Sequence, residues 1–215
     1  MEDPKRIVAD GYDRIAERYA AWIGETLQGP RARYVALLRQ RLPPAADVLE
    51  LGCGTGVPTT RELAKRFAVT GVDISARSIA LARRRVPGAG FVRADMARLT
   101  LPAASIDAVV AFYAITHVPR AEHGSLLREI ARWLRPGGLL VATMGAGDDP
   151  GTVEADWLGA PMFFSAFDSA TNRRLVTDAG LRLLGAEEIT EDEDGVPVTF
   201  LWVAAEKPRD AKTDP

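Results

Sequence analysis

An α/β fold, a parallel sheet with crossover helices on both faces, is what this sequence predicts, and three observations predict it. From Asp47 to Thr143 short apolar runs alternate with stretches of helical spacing, the pattern of strands buried on both faces and joined by helices. Val48, Leu49 and Leu51 run straight into Gly52, Gly54 and Gly56, a turn that lets bare backbone approach a ligand because no side chain stands in the way. Asp73 ends the next apolar run, about 20 positions past that turn, where nucleotide folds place an acid that accepts from ribose hydroxyls.

Along the chain, two helices come first, at about 5–23 and 30–42, divided by Gly29-Pro30. In the first, Ile7, Tyr12, Ile15, Ala16, Tyr19 and Ala20 recur near helical spacing, so one face can pack over a cleft. Behind the glycine turn, Thr59 to Phe67 reads as a helix, and its first amides are expected to face whatever the turn holds. Val69 to Asp73 reads as the second strand, with Asp73 and Ser75 each suited to cap the next helix. Arg83-Arg84-Arg85 reads as the solvated end of that helix, where cations are favoured. The third strand falls near Phe91-Val92-Arg93, the fourth at Ile106 to Phe112, and the fifth at Leu139 to Thr143 behind a turn, Leu134-Arg135-Pro136-Gly137-Gly138. His123 stands near the start of a helix that reaches Trp133 and is expected to be exposed. Residues 145–167 read as an irregular segment with an apolar middle at Trp157, Leu158 and Pro161 to Phe164. A helix at about 168–179 stops at Gly180, strands follow at about 181–189 and 196–205, and 207–215 reads as a loose polar tail.

With 215 residues, 47% of them hydrophobic, the chain can bury a core as a single domain. A formal charge of -2 offers no field for a polyanion, so no nucleic-acid partner is expected. Lysine stands only at 5, 65, 207 and 212, and the arginines are scattered among acids. Cys53 is the one cysteine, which rules out an intrachain disulfide. No apolar stretch reaches the ~18 residues a membrane span needs. Met1-Glu2-Asp3-Pro4-Lys5 does not begin a signal peptide, and a reducing cytoplasm is the expected home.

Glu50-Leu51-Gly52-Cys53-Gly54-Thr55-Gly56 after an apolar strand resembles motif I of class I S-adenosylmethionine-dependent methyltransferases. Val69 to Ser75, Phe91 to Met96, Ile106 to Phe112 and Leu134 to Leu139 follow in that family's order. The resemblance implies a doubly wound, mostly parallel seven-stranded sheet closed by a C-terminal antiparallel hairpin, under an N-terminal helical cap. It implies S-adenosylmethionine as cofactor, bound by Glu50, Gly52, Cys53, Gly54, Gly56, Asp73, Ile74, Asp95, Met96 and Phe112. Asp73 would take the ribose and Asp95 the adenine amine, with the Met96 amide at the ring. Tyr12 to Tyr19 is similar to a Y-D-x-x-A-x-x-Y opening of small-molecule methyltransferases, which assigns Tyr19, then Tyr12, to the cofactor's carboxylate. It also implies segments: cap 1–44, cofactor core 45–144, lid 145–167, closing helix and hairpin 168–206.

Methyl transfer from a sulfonium asks mainly for alignment and exclusion of water, with a base where the acceptor begins protonated. His117 lies just past the fourth strand's carboxyl end, the rim where open α/β sheets bind ligands, and is the candidate base. Trp22, Tyr113, Trp157, Met162, Phe163 and Phe164 are the candidate walls of an acceptor pocket. The nucleic-acid branches are disfavoured: Ala111-Phe112-Tyr113-Ala114 replaces [DNS]-P-P-[YF], and no Pro-Cys is present. A double-glutamate hairpin of the protein-arginine enzymes is not found, and Asp148-Asp149 reads as a turn rather than a metal site. The expected reaction is methylation of a small metabolite, at oxygen first. The rivals are a catalytically silent S-adenosylmethionine-binding partner subunit and a nicotinamide-dependent reductase, the latter disfavoured by Val57 where G-x-G-x-x-G/A wants a small residue.

Overall fold

Burial on both faces sets the middle of the sheet. Val48, Leu49, Val109, Val110, Leu140 and Val141 are nearly sealed from solvent and lie on β1 (Asp47–Leu51), β4 (Ile106–Ala111) and β5 (Leu134–Gly145). The computed structural model describes residues 3–209; the first residues of the leader reading, and the expected loose tail past Arg209, lie outside them.

β1 pairs in parallel with β2 (Ala68–Asp73) and β4, β2 with β3 (Gly90–Arg93), and β4 with β5. β8 (Arg182–Glu193) and β9 (Val196–Glu206) form an antiparallel hairpin that docks on β5 through β9. The order is β3-β2-β1-β4-β5-β9-β8. Chain direction across the sheet reverses between β1 and β4, and the crevice outside their carboxyl ends is where such sheets take ligands. The expected turn at Leu134 to Gly138 is a bulge within β5, whose register slips between Ile106 and Ala108.

Both faces are covered. α5 (His123–Trp133) and α6 (Ser169–Asp178) bury Leu126, Leu127, Ile130, Trp133 and Val176 on one side. α2 (Gly29–Arg41) and α3 (Thr59–Ala64) bury Tyr34, Val35, Leu38 and Leu63 on the other. α4 (Ala76–Arg85) packs Ile79 and Ala82 against Cys53 and Phe91. α1 (Pro4–Ile23) opens on Asp3, whose side chain accepts from the Lys5 amide, and has proline in its first turn.

Two expectations fail. Residues 145–167 are not irregular: β6 (Asp149–Trp157) and β7 (Ala160–Ala166) form a separate two-stranded hairpin. Its turn uses Leu158 at φ 51° and Gly159 at φ 91°, and a leucine in that left-handed position is no turn signal. His123 is buried at 2% exposure, not exposed. Its Nε2 lies 2.8 Å from the Val118 carbonyl, a bond that draws the ring inward at the start of α5.

Candidate functional site

β1 delivers the chain to Gly52 at φ +71°, and a Cβ there would lie 2.4 Å from Ala114 Cβ. Only glycine lets the loop after β4 close over the turn. Met96 reaches the same spot, its Cε 3.7 Å from that position. The turn's own amides are spent internally. Gly52 and Cys53 N–H donate to Val72 O at 2.8 and 3.0 Å, Gly56 to Cys53 O at 3.0 Å, and Gly54 to Asp73 Oδ2 at 2.8 Å. The loop folds back on β2, and buried amides must find acceptors there.

Asp73 ends β2 with 9% exposure and also accepts the Ser75 amide at 2.9 Å. Burial lifts its carboxyl to about 6 although both amides pull it down. Ser75, not Asp73, caps α4, accepting from Ser78 N and donating to Asp13 of α1 at 2.6 Å. Asp95 accepts the Ala97 amide at 2.9 Å and the Lys5 ammonium at 2.8 Å, so the start of α1 is tied over this loop. Ile74 packs with Val8 and Ile15 of the same helix. Glu50 is buried, takes the Thr60 hydroxyl at 2.5 Å, and is pushed by burial up to about 8, so it is protonated at neutral pH. Cys53 packs in the core with its thiol pKa raised by burial. Phe112 stacks 5.3 Å from Trp202 in the opposite core. These two residues can meet a ligand only through backbone.

At the rim after β4 opens a cavity of about 640 Å³. α1 supplies Tyr12, Tyr19 and Trp22; the rim after β4 supplies Tyr113, Thr116 and His117; the β6–β7 hairpin supplies Trp157 and Phe164. Their rings pack edge-on, Tyr12 to Tyr19 at 5.3 Å and Trp157 to Phe164 at 5.6 Å. His117 bridges two elements: Nδ1 lies 2.9 Å from Phe163 O and Nε2 2.9 Å from Tyr12 Oη. A carbonyl only accepts, so Nδ1 carries the proton and Nε2 accepts from Tyr12. Burial lowers the imidazole to about 4 and raises the Tyr12 phenol well above its ordinary value, so the pair is neutral.

Two of the expected walls turn away. Met162 is wholly buried and Phe163 nearly so, in the cluster that joins β7 to Val8 and Ile15 of α1. They fill core because Gly11 leaves room for Met162 against the helix. Two contributions escaped the sequence reading. Arg31 stacks 4.4 Å over Tyr113, its Nε buried without a partner. Glu191 to Asp194, at the tip of the β8–β9 hairpin, line the cavity. Arg31 is one of four arginines on α2, and no local signal separates it from the others.

The doubly wound sheet, with its glycine turn, an acid at the end of its second strand and another just past its third, defines a Rossmann-like nucleotide fold. A family model described as a methyltransferase domain matches residues 48–138. Trans-aconitate 2-methyltransferase of Azoarcus sp. (strain BH72) is 39% identical over 117 residues, 53% of this chain and 45% of that enzyme; the chain spans about half the length of the first curated relatives it matches. Phosphatidylethanolamine N-methyltransferase of Cereibacter sphaeroides is 31% identical over 155 residues, 66% of this chain and 73% of the relative. The Burkholderia thailandensis 1,6-didemethyltoxoflavin-N1-methyltransferase structure, solved with S-adenosylhomocysteine, shares the fold at TM-score 0.72 and 20% identity, over 97% and 92% of the chains. The chain belongs to the class I S-adenosylmethionine-dependent methyltransferase family.

Proposed function

We propose that this protein transfers the methyl group of S-adenosylmethionine to a small organic acceptor, at oxygen, by in-line displacement. The observation that carries the reading is the aromatic-walled cavity at the rim after β4, lined by Tyr113, Thr116 and His117, with Ala114 of the same rim packed against Gly52 of the glycine turn. The residues fit the cofactor. Gly52 lets the turn and the Ala114 loop close on one another, and Arg31, whose buried Nε has no partner, stands with Tyr19 on the cavity wall as a cation suited to a carboxylate. In this reading Asp73 accepts from the ribose hydroxyls, Asp95 from the adenine amine, and Ile74 and Met96 flank the base. Glu50, Gly52, Gly54 and Gly56, with Cys53 and Phe112 through backbone, shape the methionine end, and Tyr19 and Arg31 hold its carboxylate.

When bound, the cofactor supplies a methyl group on a positively charged sulfur. The chain's own part is to align and to exclude water. α1 and the β6–β7 hairpin cover the cavity, and Trp22, Tyr113, Trp157 and Phe164 grip the acceptor. His117 is the one imidazole on the cavity wall, and since its Nε2 holds the Tyr12 hydroxyl, an acceptor proton reaches it through Tyr12. We assign the cap, cofactor core, lid and closing hairpin to 1–44, 45–144, 145–167 and 168–206 within one domain.

Calorimetry with S-adenosylhomocysteine, followed by transfer of labelled methyl to a panel of hydroxyl, amine and thiol metabolites, tests this. Binding plus label on a hydroxyl compound is expected. Binding without transfer to any acceptor, with the full chain, would make the protein a silent partner subunit, and no binding would remove the cofactor reading. Arg31→Gln should weaken S-adenosylhomocysteine binding at least tenfold while leaving the melting temperature near that of the parent.

A further inference from the structure

The charge around the acceptor cavity is lopsided. Asp149, Glu154, Glu191, Asp192, Glu193 and Asp194 line it, and Arg31 is the one basic side chain among the lining residues. Elsewhere carboxylates find cations: Glu17 meets Arg77, Glu62 meets Lys65 and Arg39, Asp95 meets Lys5. None of the six cavity carboxylates forms a salt bridge among the described residues. Four of them accept from neutral donors. Glu191 accepts from the Tyr113 hydroxyl, Asp194 from the Trp22 indole at 2.9 Å, Asp192 from the Gly195 amide at 2.9 Å, and Asp149 from Gly151 N at 2.9 Å. Such bonds orient the carboxylates without cancelling their charge. Glu193, two residues from Glu191 on the same strand, has its pKa raised by burial and then by its neighbour's charge.

Among these acids stand the rings of Tyr19, Trp22 and Trp157, grouped within 5.6 to 6.4 Å of one another, with the Trp22 indole itself on Asp194. Carboxylates and electron-rich rings around one cavity form an environment that selects for a positive charge and against a negative one. Arg31 offsets part of this, since its charge pulls the Glu193 carboxyl down, but it stacks on Tyr113 and is one cation against six acids.

We propose that the acceptor is a cation: a hydroxyl-bearing aromatic compound whose ammonium group lies against Glu191, Glu193 and Asp194 while its hydroxyl points to His117. This rests on the methyl-transfer reading and narrows it to a substrate class. The ammonium is the anchor and not the nucleophile. Nearby carboxylates stabilise the protonated amine, which has no lone pair to attack a methyl group, so the same wall that binds the amine protects it from methylation. The oxygen then displaces the sulfur, the carbon–sulfur bond breaks with its electrons on sulfur, and the hydroxyl proton leaves toward the Tyr12–His117 pair.

Three probes of one shape and different charge test the proposal on the protein saturated with S-adenosylhomocysteine: tyramine, 4-ethylphenol and 3-(4-hydroxyphenyl)propionate. Binding is read by quenching of the cavity tryptophans and checked by calorimetry. Tyramine should bind at least tenfold tighter than the neutral phenol, the propionate weakest, and the advantage should shrink with added salt. Glu191→Gln with Glu193→Gln should abolish most of it, and Glu193→Gln alone should show an intermediate loss if the double variant does not fold. Equal affinities, preference for the anion, binding of none of the three, or an advantage that survives both substitutions overturns the proposal. Failure of S-adenosylhomocysteine itself to bind strikes instead at the methyl-transfer reading.

Discussion

Replacing Asp73 by asparagine separates what this carboxylate does for the ligand from what it does for the fold. The side chain keeps its shape but loses its charge, and one of the two amides it serves, Gly54 at 2.8 Å or Ser75 at 2.9 Å, meets a donor. An orphaned buried amide costs about 1–3 kcal/mol. Against that, burial holds the acid at about 6, above its ordinary 3.8, so its ionised form carries roughly 3 kcal/mol of unfavourable desolvation at neutral pH, at 1.36 kcal/mol per pKa unit. The two nearly cancel, and folding stability should move by less than ~2 kcal/mol. Ligand binding has no such offset. Hydrogen bonds to a charged acceptor are worth about 1.5–3 kcal/mol and neutral ones about 0.5–1.5. Two ribose hydroxyls therefore lose ~2–3 kcal/mol, roughly a 30- to 150-fold weaker complex. Calorimetric titration with S-adenosylhomocysteine and urea denaturation of both proteins read the two quantities. An affinity within threefold of the parent, with stability unchanged, would refute the ribose assignment.

The same carboxyl gives a pH signature. Because its pKa is raised in the fold, the native state holds a proton that the unfolded chain has released between pH ~4 and ~6. Its stabilising contribution is complete below the unfolded value and is lost as pH rises through about 6. Parent stability relative to Asp73→Asn should fall across that window and stay flat above it. Ribose hydroxyls need the ionised acceptor, so parent affinity should drop roughly tenfold per unit below pH 6, and the variant's should not.

Other outcomes follow from the packing. His117→Ala removes the link between Tyr12 and Phe163 and should cost about 1–3 kcal/mol in urea denaturation with S-adenosylhomocysteine affinity unchanged; slowed turnover supports the base, unchanged turnover leaves only the brace. Met162→Ala empties a fully buried position between β7 and α1 and should destabilise by about 2–5 kcal/mol. Gly52→Ala drives a Cβ to 2.4 Å from Ala114 Cβ at positive φ, and strain plus overpacking should cost roughly 2–5 kcal/mol. Adding Ala114→Gly should recover the overpacking part alone, as read by thermal melts.

Local order was written in the chain. The alternation from Asp47 to Thr143 announced five strands and their helices, because side-chain period and turn glycines are dictated by sterics between near neighbours. The glycine turn after β1 and the acids at the ends of β2 and β3 were legible for the same reason, since each closes a short local apolar run. The β6–β7 hairpin was not legible, since its turn hides behind Leu158. Nor could spacing tell that Met162 and Phe163 face α1 while Trp157 and Phe164 face the cavity, because an apolar residue suits either surface. Arg31 and Glu193 meet around one cavity across some 160 positions of chain. What brings them there is how α2 packs on the β8–β9 hairpin, Tyr34 against Trp202 and Glu187, and that depends on volumes and faces that no stretch of sequence holds by itself.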